Sequence, residues 1–207
     1  MKGIILFFFI SLNSYSFDYS LINKSQVEIR NKVTGHSICP ATVIGPTTII
    51  GAAHCFSSLP ESIIEVKTYS GHQVDAAEIK IGPGYKKGHS YNDIGIIRTK
   101  SPLFGAAIAP IQQSSAFKLQ NLLYIPFESQ VQASRQHEVQ ENLLTTYADF
   151  SHFRKGLSGS GFFSVNDNGD MGLVSVLIRG EVQSMSHLTS HVFTPELIKW
   201  IKSTTFR

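Results

Sequence analysis

Cysteine is scarce in this chain of 207 residues, which has only Cys39 and Cys55. Two cysteines exclude the disulfide-dense scaffold of a small secreted domain. They also fall short of a structural zinc site, because neither their spacing nor a fourth ligand fits a known zinc pattern, and no metal or cofactor is expected. A bias toward one sign of charge is missing as well. Lys and Arg number 18 against 15 Asp and Glu, the net charge is +3, and the basic residues are scattered apart from the short cluster "YKKGHS". That distribution speaks against a nucleic-acid partner and against a polybasic membrane patch. No apolar run reaches the roughly 20 residues that a bilayer-spanning helix needs, so no stable membrane anchor is expected. What remains is an ordinary globular composition, 42% hydrophobic, enough for one compact domain or for two small lobes sharing an interface.

The first residues bear on the compartment. Lys2 precedes the apolar stretch "GIILFFFISL", and "NSYS" then supplies small residues at Ser14 and Ser16. A charged start, a short apolar core and small residues at a cleavage site make a secretory signal peptide. Residues 1–16 are expected to be removed, the mature chain to begin near Phe17, and the protein to be secreted or periplasmic. In a chain that leaves the reducing cytosol, a single Cys39–Cys55 disulfide is the economical pairing. Closing a loop of about 15 residues would stabilise by roughly 3 kcal/mol in the chain-entropy description.

Along the rest of the chain the dominant pattern is short, β-branched and alternating, with glycine, proline and asparagine at short intervals. Segments such as "QVEIR", "ATVIG", "TTIIGAA", "SIIEVKTYS", "AEIKIG", "DIGIIRT", "NLLYIPF", "ENLLTTY", "GFFSV" and "MGLVSVLIRG" are strand-sized. They predict an all-β barrel or sandwich. One helix is expected, at the C-terminus, where Thr194 can cap, Pro195 suits the first helical position, and Leu197, Ile198 and Ile201 form one apolar stripe. The stretch "SPLFGAAIAPIQQSSAF" is the least strand-like and reads as a connector between two strand-rich halves.

Three residues then stand out together. His54 ends an apolar run in "TTIIGAAHCF". Asp93 opens the apolar strand of "YNDIGIIR", a costly place for a carboxylate without a partner. Ser158 lies in "KGLSGSGFF", where Gly156, Gly159 and Gly161 permit a tight turn with exposed backbone N–H groups. A serine hydroxyl attacks poorly until a base takes its proton, and an imidazole base is oriented by a carboxylate. Each residue alone has a blander role: a satisfied core histidine, a capping aspartate, a turn serine with Ser160 as its rival.

These segments resemble, in order, those of the trypsin-like (chymotrypsin-fold) serine peptidases. "ATVIGPTTIIGAAHC" is similar to the family's histidine segment, "IGPGYKKGHSYNDIGIIRTKSPL" to its aspartate segment, and "FTPELIKWIKST" to its C-terminal helix. "GLSGS" matches the nucleophile turn in the Gly-x-Ser-Gly-Ser form of bacterial glutamyl-endopeptidase-like members. The resemblance implies two six-stranded antiparallel β-barrels and a C-terminal α-helix, the N-terminal barrel over about 17–108, the C-terminal barrel and helix over about 109–207. It further implies a monomeric serine-type endopeptidase acting on protein or peptide substrates. His54, Asp93 and Ser158 would be the triad, Gly156 and Ser158 the oxyanion hole, and Cys39–Cys55 the bridge closing the histidine loop. His152, Phe153, Leu177 and Gly180 would line the first specificity pocket.

The departures from the family pattern carry expectations of their own. Leu157 stands where animal members have an aspartate that receives the freed N-terminus on activation, so that switch is not expected. Gly51 replaces a small hydroxyl residue, and Ile178 stands where relatives have a serine, so its side chain cannot hydrogen-bond Asp93. His152 in place of an acidic residue speaks against cleavage after Lys or Arg. Leu177, where glutamyl-specific relatives carry a histidine, leaves glutamate specificity to a substitute such as His152, His187 or His191. Two other functions use the same residues. One is an inactive homologue binding a partner through the same cleft. The other is an α/β-hydrolase using Ser158, Asp167 or Asp170, and His187 or His191, whose fold and nucleophile motif do not suit this chain.

Overall fold

A computed structural model describes residues 19–112, 122–124, 132–134, 136–140, 143–147, 156–165, 170–180 and 187–205. The expected signal peptide, residues 1–16, lies outside them, as do His152, Phe153 and Asp167. After a short helix α1 (Ser20–Ser25), the first half contains strands β1 (Gln26–Asn31), β2 (Ser37–Gly45), β3 (Thr48–Gly51), β4 (Ile64–Thr68), β5 (Gln73–Ile81) and β6 (Gly95–Thr99). They close into an antiparallel barrel in the order β1-β2-β3-β6-β5-β4. Apolar residues on the inward positions fill it: Val27, Ile29, Val43, Ile49, Phe56, Val66 and Ile97 share one buried cluster. The alternation in "IEVKT" is visible as a strict buried-intermediate burial pattern along β4.

The second half contains β7 (Leu122–Tyr124), β8 (Gln132–Ser134), β9 (Gln136–Gln140), β10 (Leu143–Tyr147), β11 (Gly161–Val165), β12 (Met171–Gly180) and β13 (His187–Val192). Here the expected second six-stranded barrel is not seen closed among the described residues. The strands form a seven-stranded sheet, β8-β7-β11-β12-β13-β10-β9, with no closing ladder among the described residues. Its two edge strands, β8 and β9, are separated in the chain by one residue, 135. The edges are therefore joined covalently where a barrel would join them by hydrogen bonds. Strands that change partners in this way turn the corners of β-barrels and sandwiches.

The C-terminal helix α2 (Pro195–Thr205) follows the expectation in detail. Thr194 caps it, accepting at Oγ1 the N–H of Leu197 at 3.3 Å, while Leu197 and Ile201 are buried. Helix α1 was not expected; a single turn without a side-chain cap leaves no periodic signal. The connector bridges the halves. Ala109 donates its N–H to Val43 O of β2 at 2.8 Å, and Gln112 to Leu173 O of β12 at 3.0 Å. Between the halves lies a shared apolar layer in which Ile44, Ile50 and Ile94 meet Phe163, Val176 and Phe193. Strands alternating with helices, as an α/β-hydrolase requires, do not occur among the described residues. Nor is any described helix long and apolar enough to cross a membrane.

Candidate active site

Strands β3 and β6 are neighbours and antiparallel, with Gly51 opposite Gly95. The chain leaving β3 and the chain entering β6 consequently meet at one end of the barrel. His54 sits in a single 3-10 turn (Ala53–Cys55) just past β3, and Asp93 just before β6. The glycine pair makes room for a wedge: a Cβ on Gly95 would stand 2.6 Å from the Phe56 ring. Phe56, with no exposed surface, seats the turn that carries His54, and burying such a ring contributes about 2–3 kcal/mol.

Asp93 holds His54 at two points. The backbone N–H of His54 donates to Oδ1 at 2.8 Å, and Nδ1 lies 2.6 Å from Oδ2. The carboxylate side chain is 6% exposed whereas the imidazole is 41% exposed. A buried acid thus orients a ring whose other nitrogen can reach solvent. The Cys39–Cys55 disulfide ties this turn to β2, its Cα atoms 6.2 Å apart. Cys39, His54 and Cys55 place their donor atoms within 4.8 Å of one another. Both sulfurs are bonded to each other, so the group has no thiolate to offer a metal.

The turn at Ser158 enters from the second half. Gly159 adopts φ +99° and donates its N–H to Leu177 O at 2.7 Å. Its α-carbon presses on β2: a Cβ there would stand 2.1 Å from Pro40 O. The N–H groups of Gly156 and Ser158 make no hydrogen bond among the described residues. Leu157 is buried in the second sheet's core with Leu144, Phe162 and Leu177. Ser158 and His54 flank one sulfur, Cys55 Sγ lying 3.6 Å from His54 Nε2 and 3.8 Å from Ser158 O. The Ser158 hydroxyl donates to Ile178 O at 3.2 Å, and no hydrogen bond joins it to the imidazole among the described residues. The importance of Ile178 therefore includes its carbonyl, which attention to side chains alone misses.

Ser160, the rival serine, has no exposed surface, and its Oγ is buried without a hydrogen-bond partner. It presents no surface to a substrate in this structure. Removing an unpaired buried hydroxyl relieves a desolvation cost, so Ser160→Ala is expected to change stability by at most about 1 kcal/mol, in either direction. Activity should remain; urea unfolding and labelling of the variant check both parts.

Of the expected pocket residues, Gly180 closes β12. Leu177 has no exposed surface, and both its backbone groups are engaged, its N–H with Ser160 O and its carbonyl with the Gly159 N–H. It is a core residue in this structure and presents no surface to a substrate. His191 is also buried, 1% exposed, with Nε2 3.3 Å from Asn92 Oδ1. The ring is thus committed to the contact between the halves, and its direct use as a glutamate-binding substitute is not supported. Burial pushes its pKa below the ordinary histidine value, against smaller opposing effects of the Val192 carbonyl and Asp93. The unfolded chain therefore binds this proton first. The associated stability is complete above about pH 6.5 and is lost as pH falls toward the folded-state pKa. Melting temperature should decline over that window in the native chain and decline less in His191→Gln.

No curated protein matches the chain. The family model described as trypsin matches residues 18–125, a span that contains His54 and Asp93 and ends before the Ser158 turn. Since that span exceeds half of the sequence, the chain belongs to the trypsin family of serine peptidases.

Proposed function

We propose that the protein is an exported serine endopeptidase that cleaves peptide bonds through an acyl-enzyme. The two-point hold of Asp93 on His54, with the ring still exposed, is the observation that carries this. In the proposed reaction Ser158 Oγ turns from Ile178 O toward His54 Nε2, gives up its proton to that nitrogen and attacks the scissile carbonyl. The N–H groups of Gly156 and Ser158, which make no hydrogen bond among the described residues, are the proposed donors to the oxyanion. His54 then protonates the leaving amine, and water activated by the same ring releases the acyl group. Catalytic hydrogen bonds are commonly loose before substrate binds, so the parked hydroxyl is compatible with this sequence.

The disulfide supports export, with residues 1–16 as the signal and a mature monomer from Phe17 divided near residue 108 into its two halves. The form of "GLSGS" supports placing the chain nearest the bacterial glutamyl-endopeptidase-like members. It does not support glutamate preference, because Leu177 is apolar and buried. One observation favours an inert binding homologue as the second reading: Ser158 is hydrogen-bonded to Ile178 O and not to His54. Labelling the purified protein with a serine-directed fluorophosphonate decides between them. Covalent labelling is the expected result, and a protein that stays unlabelled at any pH would overturn the peptidase assignment. Sequencing the cuts made in a denatured protein mixture then reads the first specificity pocket.

A further inference from the structure

His191 is fully buried, 1% exposed. On β13 it stands opposite Val176 of β12 and Leu143 of β10, both apolar. Its ring reaches from the second half to the loop that carries Asp93. Nδ1 lies 2.9 Å from Val192 O and Nε2 3.3 Å from Asn92 Oδ1. The Asn92 amide is held in that orientation, because its Nδ2 donates to Pro83 O at 2.7 Å. Reversing it would set two oxygens against each other. Both ring nitrogens therefore face acceptors. A neutral imidazole has one N–H, so either tautomer leaves a lone pair opposed to an oxygen, and only the imidazolium donates to both.

The surroundings oppose that charge by burial and favour it through one anion. Among the described residues Asp93 is the only charged group acting on the ring; Tyr91, with its ring centroid 6.5 Å away, is the other titratable neighbour from that loop. Behind Asp93 stands His54. Asn92 adjoins Asp93 in the chain and is the only non-glycine described residue with positive φ, at 53°, so its side chain is held on a backbone conformation that few residues adopt.

We propose that His191 is a positioning residue for the His54–Asp93 pair, a role that rests on the peptidase reading. When His191 gains a proton, its Nε2–H closes a hydrogen bond to Asn92 Oδ1 and its charge competes with His54 for the Asp93 carboxylate. Neutral His191 leaves Asp93 wholly to His54. Acid is thus sensed in the second half and felt as a weaker base in the first.

The test combines ring-nitrogen NMR across pH with the pH profile of kcat/KM. In the native chain the His191 resonances should titrate below the ordinary histidine midpoint, and the His54 resonances should show a second inflection at that pH. Asn92→Gly, which keeps the left-handed backbone and removes the acceptor, should lower the His191 midpoint further. His191→Gln should abolish the second inflection of His54. The acid limb of kcat/KM should keep a single-proton slope in His191→Gln and should depart from that slope at the His191 midpoint in the native enzyme. A His191 midpoint indifferent to Asn92→Gly, or a His54 titration unchanged by His191→Gln, overturns the proposal. Absence of fluorophosphonate labelling would overturn the peptidase reading alone, since the NMR titrations do not require turnover.

Discussion

Ser158→Ala should eliminate fluorophosphonate labelling and lower kcat by about 10⁴- to 10⁶-fold while the thermal unfolding curve stays nearly in place. The hydroxyl is the proposed nucleophile, and its one hydrogen bond in the resting structure, to Ile178 O, is at a partly buried site. Losing such a bond costs about 1 kcal/mol, too little to unfold the chain. The loss would then be chemical, not structural. Ser160→Ala is the internal control, because the two hydroxyls lie in one turn and only that of Ser158 reaches partial exposure. If Ser158→Ala keeps native proteolysis, the nucleophile is elsewhere.

Gly159→Ala should have the largest effect on the fold. Two penalties act at once: φ of +99° is strained for any residue with a Cβ, and that atom would meet Pro40 O at 2.1 Å. Backbone on either side leaves nothing flexible to move aside. A destabilisation of about 3 kcal/mol or more is expected, a fall in melting temperature on the order of 10 °C. Activity should fall further than stability, because displacing the turn by about 1 Å can cost about 100-fold. Gly156→Ala gives the comparison. Its φ is also positive, +93°, but a Cβ there meets nothing within 4 Å among the described residues. It should show the conformational penalty alone, about 1–2 kcal/mol. Equal melting temperatures for the two variants would mean that contact with Pro40 does not hold the turn.

Legibility in the sequence followed local pattern. "GFFSV" and "MGLVSVLIRG" coincide with β11 and β12, and the capped apolar stripe with α2. The first part of β2 was hidden because Pro40 interrupts its pattern, although the strand runs from Ser37 to Gly45. Strand β13 was invisible for a different reason. Leu188, Thr189, Ser190, His191 and Val192 are all buried, so the strand has no polar face and no period of two. Its polar groups are satisfied across the fold, as in the Ser175–Ser190 hydroxyl contact at 2.9 Å. Strands β8 and β9, with the sequences "QAS" and "QHEVQ", hold a single β-branched residue, Val139, too weak a signal to mark a strand. At the site, His54 and Asp93 stood out by residue type and by resemblance to the family's segments, and the structure brings the two side chains together. The contact of His191 with Asn92, 99 positions apart, depends on how the halves dock and leaves no mark on local sequence.

The apolar layer shared by the two halves also sets limits on recombination. Ile22 from α1, Ile44, Ile50, Ile94 and Ile96 from the first half, and Phe163, Leu173, Phe193 and Ile201 from the second belong to one core. Exchanging a half with that of a relative would mate two surfaces shaped for other partners, and packing mismatches of even a methylene are felt in such a layer. A viable chimera would carry these residues across as one block, with α1 and α2 travelling together although they stand at opposite ends of the described chain.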